Sequence, residues 1–126
     1  VVLWGGEREY ELAKAVCAMS PAACILAPKT DLLGLSQWCT RARVFVGSDT
    51  GPLHLSAAVG TPCVGMYGTT LPQRCGPYGP QHIALQKMYD GGSARYRRST
   101  ANTAMRAIEV DDVLAACLQI LEGRSA

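Results

Sequence analysis

Asp49, Thr50, Gly51 and His54 fall in one short run, Asp-Thr-Gly-Pro-Leu-His, followed by Leu-Ser-Ala-Ala-Val-Gly-Thr-Pro-Cys-Val-Gly-Met-Tyr-Gly. A carboxylate, a hydroxyl, a bare glycine backbone and an imidazole this close together suit an anionic, hydroxylated ligand. Upstream, Arg43-Val44-Phe45-Val46-Gly47-Ser48 reads as a short buried strand. Downstream, the apolar stretch is too long and too rich in Ala and Leu for a second strand and reads as a helix. Pro52 suits the first helical position, where its missing N–H is no loss. Asp49 or Thr50 suits the cap before it. Strand, tight polar loop and helix start leave backbone N–H groups aimed past the end of a sheet, where they attract phosphate.

His54 stands in the first turn of that helix, within reach of the same ligand. The positive helix end disfavours imidazolium and a bound diphosphate favours it, so its protonation follows occupancy. A carboxylate beside phosphate is repulsive, so Asp49 is better suited to accept hydrogen bonds from sugar hydroxyls. A diphosphate on the helix end with hydroxyls on the aspartate describes a nucleotide-sugar. Local physics supports a second reading equally well: Asp-Thr as an ordinary helix cap, with His54 packed on the next strand and no ligand.

The elements that position this run alternate along the chain. Val1–Trp4 reads as a strand, Gly5-Gly6 as a turn, and Glu7–Met19 as a helix with Leu12, Ala13, Val16 and Cys17 on one face, stopped by Ser20-Pro21. Ala23–Ala27 is a second strand, Pro28–Asp31 a turn into a helix over 32–42, and Val44–Gly47 the third strand. Pro52–Val59 is a helix, Pro62–Tyr67 a strand and Ile83–Leu85 a further one. Residues 86–106 read as a long polar loop. From Glu109 to Glu122, Val113, Leu114, Cys117, Leu118 and Leu121 give an amphipathic helix ended by Gly123. Short strands apolar on both faces, alternating with helices, predict an α/β fold with a Rossmann-like parallel sheet covered by helices on both sides. Ligands of such sheets bind beyond the carboxyl ends of the strands.

Composition bounds the class. At 126 residues, 48% hydrophobic and 17% charged, the chain reads as one soluble globular domain. A net charge of +2 is too small to argue for nucleic acid or a membrane surface. No apolar run approaches the roughly 20 residues of a membrane span. The chain opens on a strand with no leader, which predicts a domain cut from a longer polypeptide at an element boundary. Cys17, Cys24, Cys39, Cys63, Cys75 and Cys117 form no C-x-x-C pair and fall mostly at apolar positions. They read as free thiols of a reducing compartment. No Asp, Glu or His cluster has metal-ligand spacing, so a catalytic metal is not implied.

The long central run resembles that of the bacterial family 9 glycosyltransferases, the heptosyltransferases that build the lipopolysaccharide inner core from ADP-heptose. Val2-Leu3-Trp4-Gly5-Gly6 with Glu9 is similar to the opening of that family's C-terminal half, and Leu26-Ala27-Pro28-Lys29 to its second strand and turn. Thr69-Thr70-Leu71-Pro72 and Gly76-Pro77-Tyr78-Gly79 are similar to its post-motif loop, and Ile108–Val113 to its closing helix.

The resemblance implies the C-terminal half of a two-domain GT-B fold, with residues 1–126 as the nucleotide-sugar donor-binding domain. Asp49 would hold sugar hydroxyls, Thr50 and Gly51 would offer N–H groups to the diphosphate, and His54 would sit beside it. Glu9 would take ribose hydroxyls, with Glu7 as its competitor and a helix first-turn carboxylate as the alternative role. The catalytic base and the acceptor lipopolysaccharide would belong to an N-terminal domain absent from this sequence. So would further hydroxyl and lysine contacts to the diphosphate. No cofactor is implied beyond the donor substrate, and the implied location is the cytoplasm, peripheral at the inner face of the inner membrane. Alone, this half is expected to fold, to bind ADP weakly and not to turn over.

The sequence departs from the family at Thr30, where some members present an apolar side chain to adenine, and in residues 86–106, which lack the clustered cysteines of some members. Arg95, Arg97 and Arg98 read either as a solvated segment or as contacts for an anionic glycolipid. The neighbouring alternative is another GT-B nucleotide-sugar enzyme, a transferase of a different sugar or an epimerase. A non-catalytic nucleotide-sugar binding module is a third. Asp-Thr-Gly is also the mark of aspartic proteases, but the helix that must follow at once and the β/α alternation oppose that fold.

Overall fold

The computed structural model describes residues 1–92 and 102–123. It divides into two compact units, Val1–Leu35 and Ser36–Ala126. The arginines at 95, 97 and 98 lie outside the described residues.

In the first unit the two expected strands shrink to one parallel bridge between Val2 and Leu26. The Val2 N–H donates to the Ile25 carbonyl (2.8 Å) and the Ala27 N–H to that of Val2 (3.0 Å). Helix α1 (Glu7–Met19) has the predicted bounds. Gly6 stands at its start, and the Ser20 N–H turns back onto Cys17 just before Pro21. The Trp4 indole N–H donates to the Ala27 carbonyl at 2.7 Å, and its ring lies 4.7 Å from that of Tyr10 on α1. Of the helix face expected to be buried, only Ala13 is; Leu12 is 67% exposed and Val16 42%. A single bridge offers too little sheet to cover the rest. Asp31 begins α2 (Leu32–Arg41) by accepting the Gly34 N–H at 2.7 Å, an ordinary N-cap.

The second unit holds a parallel sheet of β1 (Phe45–Ser48), β2 (Cys63–Met66) and β3 (Ile83–Leu85), in that order. Phe45 pairs with Cys63, and Val64 with Ile83. Between β1 and β2 runs α3 (Gly51–Ala58). Gly60, at φ +86°, closes its C-terminal end in the left-handed conformation that glycine adopts without strain. Strand alternation then decides both faces of the sheet. Cys63 and Tyr67 pack with Leu53 of α3, joined by Phe45 and Ala57. Val64 packs on the other face with Ala116 and Ile120 of α6 (Val110–Gly123), joined by Val44, Ile83, Leu85, Val113 and Cys117. The expected α/β architecture, a parallel sheet with helices on both faces, is what this unit has.

Three details differ from the sequence reading. The stripe of α6 that packs on the sheet is buried at Ala116 and Ile120 and partly buried at Val113 and Cys117, leaving Leu114 and Leu118 about half exposed. Small Ala116 lets the helix approach the strand more closely than a leucine would. Two short helices interrupt expected loops: α4 (Pro72–Cys75) and α5 (Thr103–Arg106). Finally, all six cysteines are free as expected, but only Cys39 and Cys63 are buried, and Cys75 is exposed.

Candidate functional site

Strand β1 delivers the chain to the carboxyl edge of the sheet, where a short polar turn leads into α3. Thr50 occupies the N-cap position with extended backbone (φ −142°, ψ 168°). Its hydroxyl does not cap the helix; it donates to the Ser48 carbonyl at 3.3 Å. Its own carbonyl accepts the Leu53 and His54 N–H groups at 3.1 and 3.4 Å. Pro52 has no N–H to satisfy, and a Cβ built on Gly51 would meet no atom within 4 Å. Thr50 thus gives this helix end no side-chain cap. The capping expectation is therefore met in position and not in chemistry, and the end stays available to an anion.

Asp49 and His54 are brought together across this opening. His54 Nε2 lies 2.9 Å from Asp49 Oδ1, with the carboxylate side chain 16% exposed and the imidazole 48%. The sequence reading assigned these residues separate partners, sugar hydroxyls and diphosphate. In the structure they contact each other, through one oxygen of the carboxylate.

Glu9 belongs to the first unit. It is exposed, and its Oε2 accepts the Gly5 N–H at 2.6 Å. That contact is the first-turn carboxylate role, reaching back to the turn before α1. The second oxygen is not used by this bond. Thr30 is exposed in the turn before α2.

Sequence reasoning missed Tyr67. It is fully buried beneath α3, with a hydroxyl that has no hydrogen-bond partner. Burial, then the nearby charges of Asp49, Cys75 and Cys63, push its ionisation up to about 12. Its apolar neighbours in the sequence hide this polar end. Beside it, burial and then Cys39 push the Cys63 thiol up to about 11, so it is an inert core group.

The edge loop after β2 is tied down twice. Thr70 accepts the Gln86 side-chain amide at 2.9 Å, and Gly68 accepts the Asp90 N–H at 3.0 Å. Lys87, next in that segment, pairs with Asp112 of α6 at 2.6 Å. A cleft of about 410 Å³ lies elsewhere, lined by Gly60, Pro62, Pro80, Gln81, Ile83, Gln119, Ile120 and Gly123. These residues flank the amino ends of β2 and β3, away from the Asp49–His54 edge.

The family model described as glycosyltransferase family 9 (heptosyltransferase) matches residues 1–104. The chain belongs to glycosyltransferase family 9. Lipopolysaccharide heptosyltransferase 1 of Pseudomonas aeruginosa is 35% identical over 82 residues, 65% of this chain and 23% of that protein. The solved structure of Escherichia coli heptosyltransferase WaaC with ADP is 33% identical, with a TM-score of 0.62, covering 70% of this chain and 27% of its own. A family 9 glycosyl transferase from Veillonella parvula is 26% identical with a TM-score of 0.79, covering 94% of this chain and 35% of its own. The chain thus spans about a quarter of the length of the curated relatives it matches. Among its described residues, no helix is long and apolar enough to cross a membrane.

Proposed function

We propose that this chain is the donor-binding half of a lipopolysaccharide heptosyltransferase, which transfers heptose from ADP-heptose to the lipopolysaccharide inner core with inversion at the anomeric carbon. One observation carries the reading: the uncapped start of α3 stands beside the Asp49–His54 pair at the carboxyl edge of the sheet. The diphosphate rests on the Thr50 and Gly51 N–H groups beside His54. Asp49 keeps one oxygen for sugar hydroxyls, and Glu9 takes the ribose. An acceptor hydroxyl, deprotonated by a base in a preceding domain, attacks the anomeric carbon. The carbon–oxygen bond to the diphosphate breaks, and ADP leaves as the helix end and His54 stabilise its developing charge. No resident cofactor or metal takes part in this scheme, and the enzyme works in the cytoplasm at the inner face of the inner membrane. The choice of nucleotide is supported by the similarity to WaaC, a heptosyltransferase whose structure was solved with ADP.

Titrating the chain with ADP, UDP, GDP, adenosine and pyrophosphate, read by calorimetry and amide chemical shifts, tests this. ADP is expected to bind best, weakly, with shifts at Glu9 and Asp49–His54. A preference for UDP, or shifts elsewhere, overturns the reading. Transfer from ADP-heptose to a truncated core lipid by a parent carrying both domains tests the reaction itself.

A further inference from the structure

The contact between His54 Nε2 and Asp49 Oδ1 restricts what each group can do. An ionised carboxylate only accepts, so the 2.9 Å separation places a proton on Nε2. Asp49 is mostly buried, whereas His54 is about half exposed. The more confined partner is therefore the carboxylate, and the imidazole is the group that gains orientation.

We propose that Asp49 is a positioning residue that fixes the tautomer and direction of His54, so that Nδ1 is the atom offered to a nucleoside diphosphate. This deepens the donor-site reading and rests on it. In the neutral ring Nδ1 carries a lone pair, which opposes a phosphate oxygen. A bound diphosphate is met by Nδ1 only after a proton from solvent is added there. The ring then bridges two anionic groups with one N–H to each, both charge-assisted hydrogen bonds. An exposed imidazole without Asp49 would divide its population between tautomers and rotamers, and would lose part of the contact to that disorder. Oδ2 of the same carboxylate is not engaged by His54, so positioning the ring and holding a sugar hydroxyl are compatible.

Two measurements on this chain test the proposal. The first needs no ligand: imidazole nitrogen shifts by ¹⁵N NMR. The wild type is expected to show a single tautomer protonated at Nε2, Asp49→Ala to show tautomer averaging, and Asp49→Asn, whose amide oxygen still accepts, to restore the single form. Averaging already present in the wild type overturns the positioning. The second is affinity for ADP, which lacks the transferred sugar whose hydroxyls Asp49 would hold and whose own ribose falls to Glu9. Asp49→Ala and His54→Ala are each expected to weaken ADP about ten-fold, the worth of one hydrogen bond to a charged group. The double variant is expected to be no weaker than either single one. Undiminished ADP binding by Asp49→Ala, with a loss confined to the nucleotide-sugar, overturns the proposal and returns Asp49 to sugar hydroxyls alone. Absence of ADP binding in the wild type overturns the donor-site reading and the phosphate role together, while the ligand-free spectrum judges the tautomer lock separately.

Discussion

Tyr67 lies folded over Gly65, two residues back on the same face of β2: a Cβ built on Gly65 would stand 2.7 Å from the ring and 2.9 Å from its hydroxyl oxygen. The ring is fully buried under α3 against Leu53 and Cys63, so it has no free space to retreat into. Gly65→Ala is therefore an overpacking change in the middle of the sheet. It is expected to cost about 1–3 kcal/mol. Urea unfolding of the two proteins checks this, with a lowered midpoint and an unchanged slope.

The same ring carries a hydroxyl with no partner, and a buried polar group left unpaired costs free energy that its removal recovers. Tyr67→Phe is expected to leave stability near neutral pH unchanged or raised by up to about 1 kcal/mol. The alkaline limb gives a second reading. Because Tyr67 ionises near 12 when folded and near 10 when unfolded, its contribution is fully present below about pH 10 and is lost as pH rises towards 12. The difference between the wild type and Tyr67→Phe should change over that window. Unfolding curves collected from pH 8.5 upward measure it.

Asp31 offers a local test of the first unit. Its Oδ1 accepts the Gly34 N–H at 2.7 Å at the start of α2, in an exposed setting. Asp31→Ala is expected to destabilise α2 by about 1 kcal/mol, and Asp31→Asn or Asp31→Ser to preserve most of the cap. Amide hydrogen exchange over 32–35 reads the local effect, with faster exchange in the alanine variant alone.

How much of this was legible depends on where the determining contacts lie. Helix α1 was bounded correctly because its signals are local: Gly6 at one end and Ser20-Pro21 at the other. The three strands of the second unit and the carboxyl-edge placement of Asp49–His54 followed from apolar runs broken by turn residues. The stripe of α6 is not legible in sequence because Leu114 and Leu118 look more hydrophobic than Ala116, while the sheet selects the smaller side chain. Helix α5 was invisible because it is a single turn held by a tertiary contact. Ala104 is fully buried, and a Cβ on Gly68 would come 3.0 Å from the Met105 backbone nitrogen. The Asp49–His54 contact joins residues across a helix start, where side-chain direction depends on the N-cap geometry and not on spacing. Tyr67 is hidden in the sequence because the ionisable end of a residue in an apolar run reveals itself only once its burial is known.

His82 gives the acid counterpart of the Tyr67 prediction. Both ring nitrogens are buried without a hydrogen-bond partner, and burial holds its ionisation below the ordinary histidine range. The Tyr78 backbone, nearby but outside hydrogen-bond geometry, offsets this only in part. The fold thus prefers the neutral ring. As pH falls through the unfolded value of about 6.5, the unfolded chain takes up a proton that the native one resists. Stability is then lost progressively towards lower pH, and regained as pH rises. The chain contains two histidines, so the measurement is cleanest with His54 replaced by Gln, leaving His82 as the single imidazole. Urea unfolding between about pH 5.5 and 7.5 should show stability rising with pH in that background. Adding His82→Leu should flatten the rise over the same window, since the leucine carries no proton in either state. A slope that survives His82→Leu unchanged would place the pH dependence on other groups and show that the buried ring accepts its proton in the native fold.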